Sequence, residues 1–206
     1  MGRLFIAALQ VSLDGYLQGA NGEVDWVGSW DDSLGLIPGA EAAVLGGGTY
    51  PGYEMLWGSI AADPRSGTAM LGREVTEGEA GYALWTQRTP HYVVSTTLEK
   101  VSWETAHLVR HVSELRRLKE QPGGAAYVVG GAALVASLLN EGLIDEVRLI
   151  VHPVILGGGK SPFAGVKERR TFQLARTSAG PDGRVVLMYQ VGPGGLPGSP
   201  SARAGQ

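Results

Sequence analysis

The hydrophobic pattern up to residue 191 alternates short apolar runs with segments of helical spacing, and glycine-rich turns separate them. Apolar runs of strand length predict strands over 4–11, 42–45, 90–95, 108–109, 125–129, 146–153, 172–177 and 185–191. Helical spacing predicts helices over 31–40, 50–57, 112–121 and 132–141. Because strands alternate with helices, we expect an α/β fold with a mixed, mostly parallel central sheet flanked by helices. A C-terminal antiparallel hairpin turns at Pro181-Asp182-Gly183.

The ends of these elements carry turn and capping signals. Asp31 or Asp32 is expected to cap the helix over 31–40, and Thr49 the helix over 50–57. Gly142 is expected to end the helix over 132–141. The glycine-rich segment 58–89 has weak periodicity, which predicts a loop with one short helix.

The last fifteen residues differ from the rest of the chain. Residues 192–206 are rich in Gly and Pro and have no apolar periodicity, so we expect a flexible tail. Residues 1–191 then form one domain.

Composition excludes several functional classes. The chain has 206 residues, a net charge of −3 and no basic stripe or polybasic amphipathic segment, so neither a nucleic-acid nor a membrane partner is expected. It contains no Cys, which excludes disulfides, thiolate metal sites and a Cys nucleophile. The N-terminal apolar run is too short for a signal peptide or membrane span, so we expect a cytoplasmic protein. His91, His107 and His111 lack carboxylate partners at ligand spacing, so no metal site is expected.

Two strand–glycine–helix junctions carry the candidate chemistry. Gly46, Gly47, Gly48 and Thr49 follow one buried strand, and Gly130-Gly131-Ala132 follows another. Turns without Cβ atoms let a diphosphate approach the backbone, and the helix that follows presents free N–H groups and its positive dipole end. Neither junction is a Rossmann fingerprint or a P-loop. The alternative is that each is only a tight turn.

The junctions belong to an ordered set of six motifs, through which the sequence resembles the dihydrofolate-reductase-like superfamily, in the branch that shares the riboflavin-biosynthesis reductase domain. The motifs are Ser12-Leu13-Asp14-Gly15-Tyr16, Leu45-Gly46-x-x-Thr49-Tyr50, Tyr92-Val93-Val94-Ser95-x-Thr97-Leu98, Val128-Val129-Gly130-Gly131-Ala132, Gly142-Leu143-Ile144-Asp145-Glu146-Val147 and His152-Pro153-Val154-Ile155-Leu156-Gly157-x-Gly159.

The resemblance implies a reduced nicotinamide cofactor across the carboxyl edge of the sheet. Residues 46–49 would contact one side of the diphosphate, and Gly130, Gly131 and Ala132 the other. Ser95, Thr96 and Thr97 would face the adenosine ribose. The loop from Asp14 to about Trp26 would cover the nicotinamide and substrate. Relatives often dimerise through strands near the C-terminal region, so a homodimer is expected.

Two positions depart from the family pattern. Gly47 and Thr96 stand where the family commonly has cationic residues that bind the 2′-phosphate of NADPH. A cation from elsewhere, Arg73, Arg88 or Arg110, could substitute for them. NADPH is the expected cofactor, and NADH, a flavin or a deazaflavin remain open.

Asp14 is the candidate catalytic residue, binding the polar end of the substrate or relaying a proton; the alternative is a turn residue. Among the aromatic residues, Trp26, Tyr50 and Trp57 are predicted pocket walls for a planar substrate. We therefore expect a reductase that transfers a hydride to a small planar C=N or conjugated C=O compound, pyrimidine- or pterin-like or a specialised metabolite. The alternative is a non-redox or flavin- or deazaflavin-binding protein with the same fold.

Overall fold

One mixed sheet organises the part of the chain that the computed structural model describes, residues 2–30, 35–180 and 182–191. Its strands within that part are β1 (Phe5–Val11), β2 (Ala40–Gly46), β3 (His91–Val94), β4 (Ala106–Val109), β5 (Ala125–Gly130), β6 (Glu146–Val151), β7 (Phe172–Ala179) and β8 (Val185–Val191). The spatial order is β4-β3-β2-β5-β1-β6-β8-β7. Pairing is parallel from β4 through β6, whereas β8 is antiparallel to both β6 and β7. The predicted fold class is confirmed.

Helices pack against the sheet. In the described residues they are α1 (Tyr50–Ala62), α2 (Pro64–Leu71), α3 (Glu77–Arg88), α4 (Leu115–Glu120) and α5 (Ala132–Asn140), with 3-10 turns at Ile37–Gly39 and Val112–Glu114. None of the described helices is long and apolar enough to cross a membrane.

Strand β1 is buried on both faces because it lies between β5 and β6 under helices. Its side chains alternate between two clusters. Phe5 and Leu9 pack in a cluster with Leu138 of α5, whereas Ile6 and Ala8 pack on the other side of the sheet. The apolar run is therefore continuous, without the polar alternation of a half-exposed strand.

The prediction for 58–89 was wrong, because this segment contains the end of α1 and all of α2 and α3. Gly67 lowers helix propensity, yet it lies where α2 crosses α1, and a Cβ there would collide with the Ile60 side chain. The glycine thus permits close helix packing instead of marking a loop.

Other element boundaries also changed. The predicted helix over 31–40 is not found in its described part, where a 3-10 turn leads directly into β2; residues 31–34, with both proposed caps, lie outside the described residues. Thr49 is the N-cap of α1, but its side chain makes no capping hydrogen bond. Gly142 follows α5 with a φ of 65°, as its predicted role requires. The predicted tail, 192–206, lies outside the described residues.

Candidate active site

The two glycine turns lie side by side at the carboxyl edge of the sheet. Strands β2 and β5 are neighbours, and Leu45 pairs with Gly130 at their ends. The turns approach closely, because a Cβ on Gly131 would lie 3.2 Å from the Thr49 Oγ1. The structure therefore brings together the two junctions that lie about 80 residues apart in the chain.

Each turn leads into the N-terminus of a helix. Thr49 is the N-cap of α1 and Gly131 the N-cap of α5, and neither makes a side-chain capping hydrogen bond. The first N–H groups of α5 have no intrahelical acceptors, and the helix dipole places partial positive charge at the same point. These two helix ends suit an anionic group between them.

A groove of about 470 Å³ runs along one side of these turns. We call it the glycine groove; its lining residues are Gly46, Gly47, Gly48, Val94, Ser95, Thr96, Arg110, His111, Val112, Ala133, Leu134 and Ser137. Thr97 and Ala132 do not line it, although Thr97 contacts Ser95 and Ala132 is the first residue of α5. Gly47 packs so closely on Ser95 that a Cβ would collide with the serine side chain. A larger side chain at position 47 therefore requires Ser95 to move.

Arg110 is the cation of this groove. It lies just after β4, and its Nη1 donates to the carbonyl oxygens of Ser95 (3.1 Å) and Leu98 (2.7 Å). Its side chain is exposed and keeps other N–H groups for a ligand. Of the three arginines proposed to supply the missing cation, Arg73 pairs with Glu79 and Arg88 lies at the end of α3. Neither lines the described part of the groove.

A cavity of about 320 Å³ lies on the other side of the turns. We call it the aromatic cavity, after Trp30, Tyr53, Trp57, Tyr82 and Tyr127, which line it. Aliphatic side chains complete its walls, including Leu17, Val24, Leu56, Val129 and Ile150. Thr49, Gly130 and Gly131 also line it, so the glycine turns border both the groove and the cavity.

A buried hydrogen-bond chain fixes two of the phenols. The Tyr53 and Tyr82 hydroxyls are 2.7 Å apart, and the Tyr53 hydroxyl is 3.4 Å from the His91 Nε2. His91 Nδ1 must carry a proton, because it lies 2.7 Å from the carbonyl oxygen of Thr89. Burial lowers the pKa of His91 to about 4, so the ring is neutral and Nε2 accepts from Tyr53. Tyr82 therefore donates to Tyr53.

Trp30 is fixed by a buried carboxylate. Its backbone N–H donates to Glu79 Oε1 at 2.9 Å, and Arg73 donates to both Glu79 oxygens at 2.7 and 2.9 Å. Thr76 N–H donates to Oε2 at 3.0 Å and completes the α3 capping box. Burial, the largest single effect, would raise the pKa of Glu79. The hydrogen bonds from Arg73, Trp30 and Thr76, together with the Arg73 charge, outweigh it and lower the pKa to about 2. Glu79 thus stays ionised and holds the cavity wall to α3.

Gln10 brings a carboxamide to the cavity from the end of β1. Its Nε2 donates to the Ser29 carbonyl oxygen at 3.0 Å, and its Oε1 accepts from His152 Nε2 at 2.7 Å. Burial lowers the pKa of His152, so the ring is held neutral. Only one carboxamide N–H is used at Ser29, which leaves the other for a ligand.

Of the three predicted pocket walls, only Trp57 lines the aromatic cavity. The Tyr50 hydroxyl donates to Glu54 and accepts from the Ser102 N–H at 3.1 Å, so Tyr50 joins α1 to the loop before β4. Trp26 packs edge-on to His152 with ring centroids 5.0 Å apart, behind Gln10. Tyr50 and Trp26 therefore support the site without lining the described cavity.

Asp14 also lies outside the lining of the cavity. Its carboxylate accepts from the Ser12 hydroxyl at 2.7 Å and from the N–H groups of Leu156 (3.2 Å) and Gly157 (2.8 Å). The Ser12 hydrogen bond, the largest cause, lowers the pKa of Asp14. These contacts join the loop after β1 to the loop after β6, and a catalytic role for Asp14 stays a prediction.

The sequence did not indicate Gln10, Tyr82 and Tyr127 as site residues. Tyr82 was missed with its helix. Gln10 lies on β1 and Tyr127 on the neighbouring strand β5. Because side chains alternate between the two faces of a strand, Gln10 shares a face with Ala8 and Tyr127 shares a face with Val129, and all four line the cavity. That alternation is a readable signal once the strand order is known. Within the described residues, no group of three or more His, Asp or Glu side chains is placed to hold a metal ion.

Comparison with known proteins identifies the family. The model of the RibD C-terminal domain matches residues 3–186. The chain belongs to the RibD C-terminal domain family. It is 31% identical over 194 residues to the uncharacterized protein YyaP of Bacillus subtilis (strain 168), an alignment that covers 91% of this chain and 94% of YyaP. The resemblance drawn from the six motifs is confirmed.

Solved structures show the same fold. A protein of Shewanella sp. PV-4 assigned to riboflavin biosynthesis has a TM-score of 0.64 at 20% identity, covering 93% of this chain and 99% of that one. Dihydrofolate reductase from Enterococcus faecalis, complexed with NADP(H), has a TM-score of 0.54 at 12% identity, covering 92% and 97%. The expected dihydrofolate-reductase-like fold is thereby confirmed, in a family of reductase domains.

Proposed function

We propose that this RibD-family protein is an NADPH-dependent reductase of a small planar C=N or conjugated C=O compound. The observation that carries the proposal is that the same two turns line both spaces. Gly48 and Ala133 line the glycine groove, and Thr49 and Gly131 line the aromatic cavity. An elongated ligand with a diphosphate at its middle suits this arrangement, with one end in the groove and the other in the cavity.

The residues present fit the cofactor. A Cβ on Gly48 would meet nothing within 4 Å, so the turn leaves open space beside the backbone. The N-termini of α1 and α5 supply uncapped N–H groups for the diphosphate. When bound, NADPH would supply the hydride for reduction of a C=O bond to CH–OH, and water would supply the proton for the oxygen. The Enterococcus faecalis dihydrofolate reductase, which has a similar fold, is complexed with NADP(H) in its solved structure.

The side chains of the cavity position the substrate and exclude water. The indoles of Trp30 and Trp57 and the phenols held by His91 give flat, rigid surfaces for a planar ring. The Gln10 carboxamide, oriented by His152, has an N–H to donate to a carbonyl oxygen or ring nitrogen. A rigid apolar wall with one oriented donor favours a single orientation of the reacting bond.

Arg110 replaces the two family cations in this proposal. Its backbone-anchored guanidinium lies in the groove beside Ser95 and Thr96, at the adenosine end of the predicted cofactor position. Guanidinium groups bind phosphate bidentately, which favours NADPH over NADH.

We also propose that the protein is a homodimer that uses β7. This strand pairs with β8 on one side, and most of its residues are exposed. Leu174 is 54% exposed although it lies in a strand. An edge strand of this kind is a ready site for pairing with a second copy.

Titration with NADPH tests the proposed function. We expect saturable micromolar binding, followed by nicotinamide fluorescence, and at least tenfold weaker binding to Gly131→Val, whose side chain would occupy the space beside Thr49. Gly81→Val is the matched control, since a Cβ on Gly81 meets nothing within 4 Å. Thr49→Ala, a milder change, should weaken binding several-fold. Wild-type protein that binds neither NADPH nor NADH would refute the reductase, and a yellow protein as purified would favour the flavin alternative.

A further inference from the structure

The lining of the aromatic cavity indicates which substrates it accepts. Most of its side chains are aromatic or aliphatic. Apart from the phenol and indole groups, the polar side chains in the lining are those of Gln10, Gln18 and Thr49. No Lys, Arg, His, Asp or Glu lines it among residues 2–30, 35–180 and 182–191. The intervening residues 31–34, Asp-Asp-Ser-Leu, contribute no cation.

This lining is unfavourable for an anionic ligand. A phosphate or carboxylate that enters an apolar cavity loses its hydration, and only a cation or several directed N–H groups would compensate for that loss. Arg148, which pairs with the cavity-lining Ala8, does not itself line the described cavity and forms an ion pair with Glu146. Arg110 lies in the glycine groove, and the Arg73 guanidinium is bound to Glu79.

The volume gives a second limit. About 320 Å³ is at the small end of the range for ligand pockets, about 300–1,000 Å³. The part beside Thr49, Gly130 and Gly131 adjoins the cofactor turns, so the substrate has only the part between Trp30, Trp57 and Tyr127. That space suits one or two fused rings.

We propose that the substrate is a planar carbonyl or imine compound of one or two rings that carries no anionic group. The inference rests on the proposed function and deepens it by naming the substrate class. The aromatic walls bind the ring faces, and the Gln10 carboxamide N–H binds the reducible heteroatom. A phosphorylated pyrimidine is excluded by the same lining.

A matched pair of probes tests the charge requirement. Calorimetric titration compares 2-methyl-1,4-naphthoquinone with 1,4-naphthoquinone-2-sulfonate, which share the ring system and differ in the anionic group. The chain has no Cys thiol that would add to the quinone. We expect the uncharged quinone to saturate the wild-type protein and to bind at least tenfold more tightly than the sulfonate.

A charge added to the wall should reverse this preference. Leu56 lines the cavity, whereas its neighbour Met55 is 61% exposed on the same helix. Leu56→Arg is expected to bind the sulfonate more tightly than wild-type protein does, and so to remove or invert the tenfold preference. An unfolded variant could not gain sulfonate binding in this way. Met55→Arg, with the same added charge, should keep the wild-type ratio.

The outcomes separate the two proposals. The substrate class would be overturned if wild-type protein bound the sulfonate as tightly as the quinone, or more tightly. It would also be overturned if neither probe saturated a protein that binds NADPH, or if Leu56→Arg kept the wild-type ratio of the two affinities. If instead the protein does not bind NADPH but still prefers the uncharged quinone, the proposed reductase activity would be overturned and the proposed ligand class would stand.

Discussion

Replacing Glu79 by Gln should show how strongly one buried carboxylate stabilises both the fold and the cavity wall. Glu79 is fully buried and accepts from Arg73, Trp30 and Thr76. The glutamine amide retains a single acceptor oxygen and turns an NH₂ group toward these donors. The Arg73 guanidinium, 30% exposed, loses its ionised partner and keeps its hydrogen bond to the Glu74 carbonyl oxygen.

The magnitude follows from the pKa of Glu79. Lowering it from 4.5 to about 2 is worth at most about 3 kcal/mol at neutral pH, since a tenfold change in proton affinity corresponds to about 1.4 kcal/mol. Removing one member of a buried pair typically costs about 3–5 kcal/mol, which agrees. Because the pKa is lower in the folded state, this stabilisation is present above pH 4.5 and is lost as pH falls toward 2. We expect it to decrease to about 2 kcal/mol at pH 3.5.

Urea unfolding followed by circular dichroism at pH 7 and pH 3.5 measures both values. Glu77→Gln is the matched control, because Glu77 lies in the same first turn of α3 but is exposed. Buried neutral His91 also destabilises the fold in acid, and comparison of variants at one pH removes its contribution. The reasoning fails if Glu79→Gln costs less than 1 kcal/mol more than Glu77→Gln at pH 7, or if the cost does not decrease in acid.

Three further predictions concern the groove, the cavity and the sheet edge. Arg110→Gln should weaken NADPH binding about tenfold or more and leave NADH binding unchanged, because a charged hydrogen bond to phosphate is worth roughly 1.5–3 kcal/mol. Fluorescence titration measures both affinities, with Arg117→Gln, a change at an exposed arginine, as the control. Gly159→Ala should lower the midpoint of thermal unfolding, since the φ of Gly159 is 148° and a Cβ there would collide with the Gln18 carbonyl oxygen. Gly158→Ala is the control and should leave the midpoint unchanged, because a Cβ on Gly158 meets nothing within 4 Å. Leu174→Lys should convert a dimer to a monomer in light scattering; a wild-type monomer would contradict the proposed interface.

The sequence was most informative where one local feature determines the structure. The Val-Val-Gly-Gly pattern at 128–131 requires a strand that stops at a tight turn, and such turns in a parallel sheet lie at its carboxyl edge. Gly67 was misleading for the opposite reason, because its role is a contact between two helices. The segment still contained readable signals: Thr76 and Glu79 form a capping box, and Asp63-Pro64 begins α2.

The walls of the cavity were harder to predict, because they depend on which elements become neighbours. Tyr50, Tyr53 and Trp57 share one buried stripe of α1, and helical spacing alone does not show which of them reach the cavity. Gln10 is the single polar residue within an apolar strand, and its role becomes visible only when His152 and Ser29 are placed beside it.

The central place of β1 has a consequence for synthesis of the chain. Phe5 pairs with Ala126 and Ile6 with Glu146, so β1 leaves the ribosome well before either of the strands that it pairs with. Such long-range parallel pairing slows folding and leaves apolar strands exposed to wrong partners in the meantime. A nascent chain that ends before residue 125 therefore contains the strand at the centre of the sheet without either of its neighbours, and chaperones that shield apolar segments would bind it during this interval.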